Sequence, residues 1–395
     1  MNYRPPNQEN PGQRPRQRGI ALLMVLSMLA IVGSVAAQFQ YESHVDLALA
    51  YGARDELQAE YNALSALRLR ALILKQSRKI QTMLMAVTAA MNPGGGAPGG
   101  QPPLGPILEM IPVECGLMNA ITHAVGERSR EAEGPQDFFI GDCQATSESE
   151  HAKISINLLR NATNRQGPQL ADALQAILGG PQMQRYFEMD DRNGVHAETA
   201  IALVQNIIDY IDSDHTAQGN LGDEDRVYQG MKRGYRAKNA AFDSVAELQM
   251  VAGVSDALFE VLRDQISVYT SAVGIELQTA PIDRVLYQLS GALNNPATDM
   301  AAYLAAMPLL YAQLNAIKGL GGSLAPLTRA TLQAILTSSG LMPLFNLTQL
   351  QQLFTDSAST TWYTLYAEGR VGNASRRIRA VFQATEGLFY YVRME

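Results

Sequence analysis

The 395 residues carry 31 basic and 38 acidic side chains, a formal net charge of −7. That balance argues against charge-driven binding to nucleic acid or anionic lipid, and the length allows two or three domains. Only two cysteines occur, Cys115 and Cys143, and neither belongs to a C-x-x-C pair, which speaks against a zinc site.

Ile20 to Tyr41 contains no charged residue, and Arg14-Pro-Arg16-Gln-Arg18-Gly19 precedes it directly. Twenty-two helical residues reach roughly 33 Å, enough to cross a hydrocarbon core of about 30 Å. The basic leader places the N-terminus on the cytoplasmic side. Val35-Ala36-Ala37-Gln38 offers an ordinary secretory cleavage site as the alternative. Against it, no proline interrupts the chain between Ile20 and Asn92, so one helix continues far beyond the apolar run. Past Glu42, Leu57, Tyr61, Leu64, Leu67, Ala71 and Leu74 fall at spacings of three and four and form a stripe on one face. This stripe is expected to pack laterally against partner helices.

A membrane helix that emerges and turns amphipathic without a break resembles the N-terminal helix of type IV pilin-like subunits. The leader ending in Gly19, followed by Ile20-Ala-Leu-Leu-Met-Val-Leu, is similar to the signal cut by prepilin peptidase, which implies a mature chain starting at Ile20. Without the leader, 27 basic and 37 acidic residues remain, a net charge of −10. Most pilin-like subunits carry a glutamate five residues after the cut, and here Met24 stands there. Within that family, minor pseudopilin K of type II secretion systems is the member that lacks it, at the tip of the fibre.

Asn92 to Pro106 is dominated by glycine and proline and reads as a linker. Asp137-Phe-Phe-Ile-Gly141 and Ala152-Lys-Ile-Ser-Ile-Asn157 alternate like the first strands of a sheet. About 169 to 350 is helical by period, including an Ala/Leu-rich run from Ala292 to Leu347. The end of the chain reads as three antiparallel strands, with Trp362 as an anchor of the sheet core.

Several segments carry a resemblance to the pseudopilin K family. Glu148-Ser-Glu150-His-Ala-Lys153-Ile-Ser-Ile-Asn157 resembles its DESGKINLN segment. Asp209-Tyr-Ile-Asp212-Ser-Asp214, followed by Gly222-Asp223-Glu224-Asp225-Arg-Val-Tyr228, resembles its DWIDAD and GAED segment. Tyr235-Arg-Ala-Lys-Asn239 with Phe242-Asp-Ser-Val-Ala-Glu247-Leu248 matches YxxxNxxFxSxxEL. The resemblance implies an α+β fold, a pilin-like antiparallel sheet split by a large helical, SAM-like insertion. The expected organisation is a leader at 1–19, the long helix at 20–91 with 20–41 spanning the membrane, and the linker at 92–106. Sheet at 107–168, the insertion at 169–350 and returning strands at 351–395 complete it. It implies a non-enzymatic subunit that caps the periplasmic pseudopilus from the inner membrane, with I- and J-type minor pseudopilins and prepilin peptidase as partners.

Asp209, Asp212, Asp214, Asp223, Glu224 and Asp225 crowd six carboxylates into seventeen residues, without EF-hand spacing. The resemblance transfers calcium to Asp212, Asp214, Asp223, Glu224 and Asp225; a solvated loop capping the next helix is the alternative. Cys115 and Cys143 can pair in an oxidising compartment or stay as small core residues. No G-x-S-x-G, H-E-x-x-H or P-loop occurs, and the five histidines are scattered, so no catalytic residues are expected. Glu247 to Leu262 resembles a helix-hairpin-helix, with Leu277 to Leu286 as a second copy. Ser244 to Ser290 carries two arginines against six acidic residues, a balance that repels a duplex. An unprocessed membrane-anchored binding protein and a pseudopilin of a DNA-uptake or type IV pilus system are the rival readings.

Overall fold

A computed structural model describes residues 16–91, 112–126, 139–160, 166–180, 183–218, 222–231, 234–319, 327–356 and 361–394. The leader up to Pro15, the linker and Asp137-Phe138 lie outside the described residues. Helix α1 (Arg16–Met91) runs unbroken for 76 residues. Its first part, from Ile20, is apolar and fully exposed, and is long enough to cross a membrane. Between Ala59 and Leu74 it packs on a five-stranded antiparallel sheet. The strands are β1 (Val113–Glu114), β2 (Asp142–Ser149), β7 (Trp362–Val371), β8 (Ala374–Gln383) and β9 (Leu388–Met394), in the order β1-β2-β7-β8-β9. Helix α2 (Cys115–Gly126) follows β1, and Cys115 is disulfide-bonded to Cys143 of β2 with Cα atoms 5.0 Å apart.

The helix and sheet meet through small residues. Ala59, Ala63, Ala66, Leu67, Ala71 and Leu74 are buried against Ala145, Tyr363, Leu365, Ala367, Ile378, Ala380 and Phe382. At Gly369 the approach is closest: a Cβ there would lie 2.1 Å from the Ala59 carbonyl oxygen. The stripe expected to face partner helices is therefore divided. Leu67, Ala71 and Leu74 fill the chain's own core, whereas Leu57 and Tyr61 remain 55% and 59% exposed. A helix emerging from a membrane beside its own sheet buries its lower turns there first, because that apolar surface is already tethered nearby.

Between β2 and β7 the chain leaves the sheet and builds a second core. After β3 (Ile154–Ser155) come α3 (Gln166–Leu178), α4 (Gln184–Phe187), α5 (Ala200–Ile211), α6 (Asp225–Gln229) and α7 (Asp256–Leu262). Next are β4 (Ile266–Ser267), β5 (Ile275–Glu276), α8 (Ile282–Ser290), α9 (Pro296–Gly319), α10 (Arg329–Ser338), α11 (Leu347–Leu353) and β6 (Phe354–Thr355). Two short parallel pairs, β3 with β4 and β5 with β6, pin the insertion's entry and exit. The Ala/Leu-rich run is α9 to α10; Tyr303, Leu310 and Leu314 of α9 are buried in the insertion core.

Three sequence expectations shift. The first long strand is Asp142–Ser149, and Phe139 to Gly141 bend rather than extend. Ala152 to Asn157 holds only the two-residue β3, because Glu150–Ala152 and Ile156–Arg160 form 3₁₀ turns. The alternation read as a strand marks residues buried on several sides at a joint. Trp362 is half-buried rather than central: it stacks on Tyr269 at 5.3 Å and meets Tyr390 edge-on at 4.7 Å, on the sheet face opposite α1.

That joint is polar. Lys153 Nζ lies 2.5 Å from Glu150 Oε1, both buried, and the Thr364 hydroxyl donates to the same oxygen. Burial works against the charged Glu150, but Lys153 and its hydrogen bonds outweigh it and hold the carboxyl below the usual range. Arg284 of α8 pairs with Glu148 at 2.5 Å and donates to the Asp264 carbonyl. Asn157 binds the backbone of Phe242 and Val268.

Candidate functional site: a buried carboxylate cluster

The cluster sits where α5 ends. Thr199 caps the helix by accepting from the Ala202 amide, and an apolar face of Leu203, Val204, Ile207 and Ile211 anchors it in the insertion core. Asp209 lies on its last turn and Asp212 follows as the C-cap in extended conformation. The chain then folds back on itself. Thr216 and Asp223 form an antiparallel bridge, the Ala217 amide donates to the Gly222 carbonyl at 2.9 Å, and Gly222 adopts φ +105°. This reversal returns Glu224, at the start of α6, to the end of α5. Asn239, at φ +50°, donates its side-chain amide to the Asp214 carbonyl and fastens the loop from the other side.

Asp209, Asp212 and Glu224 consequently point at one another, with one carboxylate oxygen of each within 4.8 Å of the others. Asp212 and Glu224 are only 4% and 3% exposed. Asp209 accepts from the Gln218 amide and Asp212 from the Gln218 side chain, but Asp212 Oδ1 and both Glu224 oxygens meet no donor among the described residues. Burial raises the Glu224 carboxyl to about 8, with the charges of Asp212 and Asp209 adding to it. Burial raises Asp209 to about 6, against the Gln218 amide and with a further push from Asp212; Asp212 moves up for the same first reason.

The other three acidic residues are placed differently. Asp214 caps the Thr216 amide, Asp223 the Asp225 amide, and Asp225 the Ala237 amide. They shape the loop, while Asp209, absent from the ligand set implied by resemblance, faces inward. Its signal was in the sequence: Asp209 and Asp212 stand three apart on a helix end and share one face.

The surrounding aromatics hold this geometry. Tyr210 stacks on Phe242 at 5.7 Å and meets Tyr228 edge-on at 5.6 Å, so it fills the place where the family pattern has tryptophan. The Tyr235 hydroxyl donates to the Met250 carbonyl at 2.6 Å.

Three orphaned oxygens on two buried carboxylates suit a hard cation, which takes oxygen ligands and would neutralise the mutual repulsion. In the hairpin and its second copy, both arginines already have acidic partners among the described residues. Arg284 is buried in its ion pair with Glu148, and Arg263 is engaged by Glu260 and Asp264.

The family model described as type II secretion system (T2SS), protein K matches residues 149–271, a stretch that starts at the polar joint and contains the carboxylate cluster. Over that stretch the chain is similar to the protein K family. A protein named "Type II secretion system protein K" from Klebsiella pneumoniae is 26% identical over 247 residues, covering 62% of this chain. The chain spans 61% of that relative's length. Among solved structures, a chain of the GspK-GspI-GspJ complex from the enterotoxigenic Escherichia coli type 2 secretion system aligns at a TM-score of 0.44 and 13% identity. That alignment covers 71% of this chain and 92% of the other.

Proposed function

We propose that this protein is a minor pseudopilin of a type II secretion system. In this reading it is anchored in the inner membrane by α1 and caps the tip of the periplasmic pseudopilus with I- and J-type minor pseudopilins, in support of export across the outer membrane. The observation that carries the reading is the pairing of a protein K domain at residues 149–271 with one unbroken helix whose exposed apolar part precedes the sheet. Met24 gives the reason for the tip. A subunit without a docking carboxylate in its membrane helix fits where no subunit lies above it, and the bulky insertion obstructs further stacking.

The cluster fits calcium. Asp209, Asp212 and Glu224 would hold the ion, with Asp214, Asp223 and Asp225 fixing the loop that presents them. A bound cation supplies charge neutralisation and ties the end of α5 to the start of α6. The work is mechanical, and no residue in the cluster is assigned to catalysis.

The test is assembly. The full chain in detergent should form a defined complex with the smaller minor pseudopilins and no homopolymer. Leu57→Asp combined with Tyr61→Asp should weaken that complex more than tenfold without changing the melting temperature, since both side chains are exposed. Long homopolymers, or crosslinks along the fibre shaft, would overturn the tip assignment.

A further inference from the structure

At the end of α5 opposite the carboxylate cluster, residues of α3, α4 and α11 and the first turn of α5 line a cavity of about 620 Å³. The helix between them is roughly 18 Å long, so the two sites are separate. Leu178, Phe187 and Ile201 form apolar wall, and Ile201 stays 54% exposed. Asp172 of α3 and Glu198, just ahead of the Thr199 cap, also line it. Among the described residues no lysine, arginine or histidine does.

The two acids set the sign of this cavity. Helix α3 ends and α5 begins at its rim, so the partial charges of the two helix ends oppose each other. Neither Asp172 nor Glu198 has a basic partner among the described residues. Other exposed acids of the insertion are engaged: Arg192 holds Asp256 at 2.8 Å, and Lys238 holds Asp243 at 2.7 Å. Arg185 of α4 rests instead over the Tyr186 ring at 4.7 Å and donates to its hydroxyl. Gln349 of α11 lines the cavity too, and its buried side-chain oxygen meets no donor among the described residues. A buried acceptor left so is costly until a ligand supplies the donor. Two carboxylates, an unsatisfied amide oxygen and apolar walls together call for a donor-rich cation on an aliphatic stem.

We infer that the cavity receives a lysine or arginine side chain from an apolar segment of a partner protein. The stem would lie against Leu178, Phe187 and Ile201, and the head group would donate to Asp172, Glu198 and the Gln349 oxygen. A free polyamine, charged at both ends, would leave one charge against the apolar wall, which favours a protein segment. In a chain of net charge −7, long-range attraction would favour the same approach. The inference does not depend on helix-mediated assembly, since Leu57 and Tyr61 lie on α1 and the cavity lies in the insertion.

The probe is an acetylated, amidated hexapeptide alternating leucine with lysine, titrated calorimetrically into the full chain in neutral detergent. Saturable binding is expected. Asp172→Asn with Glu198→Gln should weaken it at least tenfold, and Ile201→Ser at least threefold. All three side chains are exposed, so unchanged melting curves check that the variants fold. Acetylating the peptide's lysines should weaken binding to the unmutated chain at least tenfold. The absence of binding up to the peptide's solubility limit would overturn the inference, as would equal binding of the acetylated peptide or equal binding to the double variant. Spermidine binding as tightly as the peptide would assign the cavity to a free polyamine and overturn it. A doubled mass without peptide, lost in the double variant, would assign it to a second copy and overturn it likewise.

Discussion

Glu224 shows how a single side chain can couple the stability of the fold to pH. Buried beside two further carboxyls, it holds its proton up to about 8, and Asp209 up to about 6. Both values are raised above the unfolded ones, so their contribution to stability is complete below the ordinary carboxylate range. It is lost as pH rises through about 6 and then about 8. The calcium-free protein should therefore melt progressively lower between pH 5 and pH 8. Calcium should flatten that slope, because the ion takes over the role of the protons. At a hundredfold excess over its dissociation constant it would stabilise the fold by about 2.7 kcal/mol. Melting with EGTA and with calcium at pH 7.5 checks this, and Asp212→Asn with Glu224→Gln should abolish the difference. Identical curves in the unmutated chain would leave the cluster without an ion.

Among the elements, the contact of α1 with β7 is the most constrained. Gly369→Ala would press a methyl group against the Ala59 carbonyl, with backbone on both sides and no flexible side chain to yield. Overpacking of this kind costs about 1–3 kcal/mol, measurable as a lower melting temperature. The disulfide between Cys115 and Cys143 closes a separation of 28 residues. On the loop-entropy model its loss in Cys143→Ser would cost about 3–4 kcal/mol. Much at this scale was legible in the sequence. The proline-free run made α1 visible, and period-two alternation with glycine turns marked β7, β8 and β9. The carboxylates' convergence was not legible, because it depends on the Thr216–Asp223 bridge and the positive φ at Gly222, which no spacing rule encodes. Nor was the joint: Glu150 and Arg284 find partners more than a hundred residues away in Thr364 and Glu148. The α1 stripe was legible as apolar, but its division between core and surface required knowing where the sheet lay.

At the scale of the whole molecule, one chain combines an exposed apolar helix, a sheet that covers that helix's lower turns, and a helical body carrying a cation-ready loop. The arrangement suits a subunit that leaves the membrane with its helix attached and presents its bulk beyond it. The proposed membrane-anchored tip subunit requires a helix that begins as a pilin-type helix does, with residues 1–19 removed and Met24 at the fifth position of the mature chain. Mass spectrometry of the protein purified from membranes measures this directly. The mature chain should begin at Ile20, and Gly19→Glu should block the cut. A terminus retaining residues 1–19, or one starting at Gln38, would contradict the account.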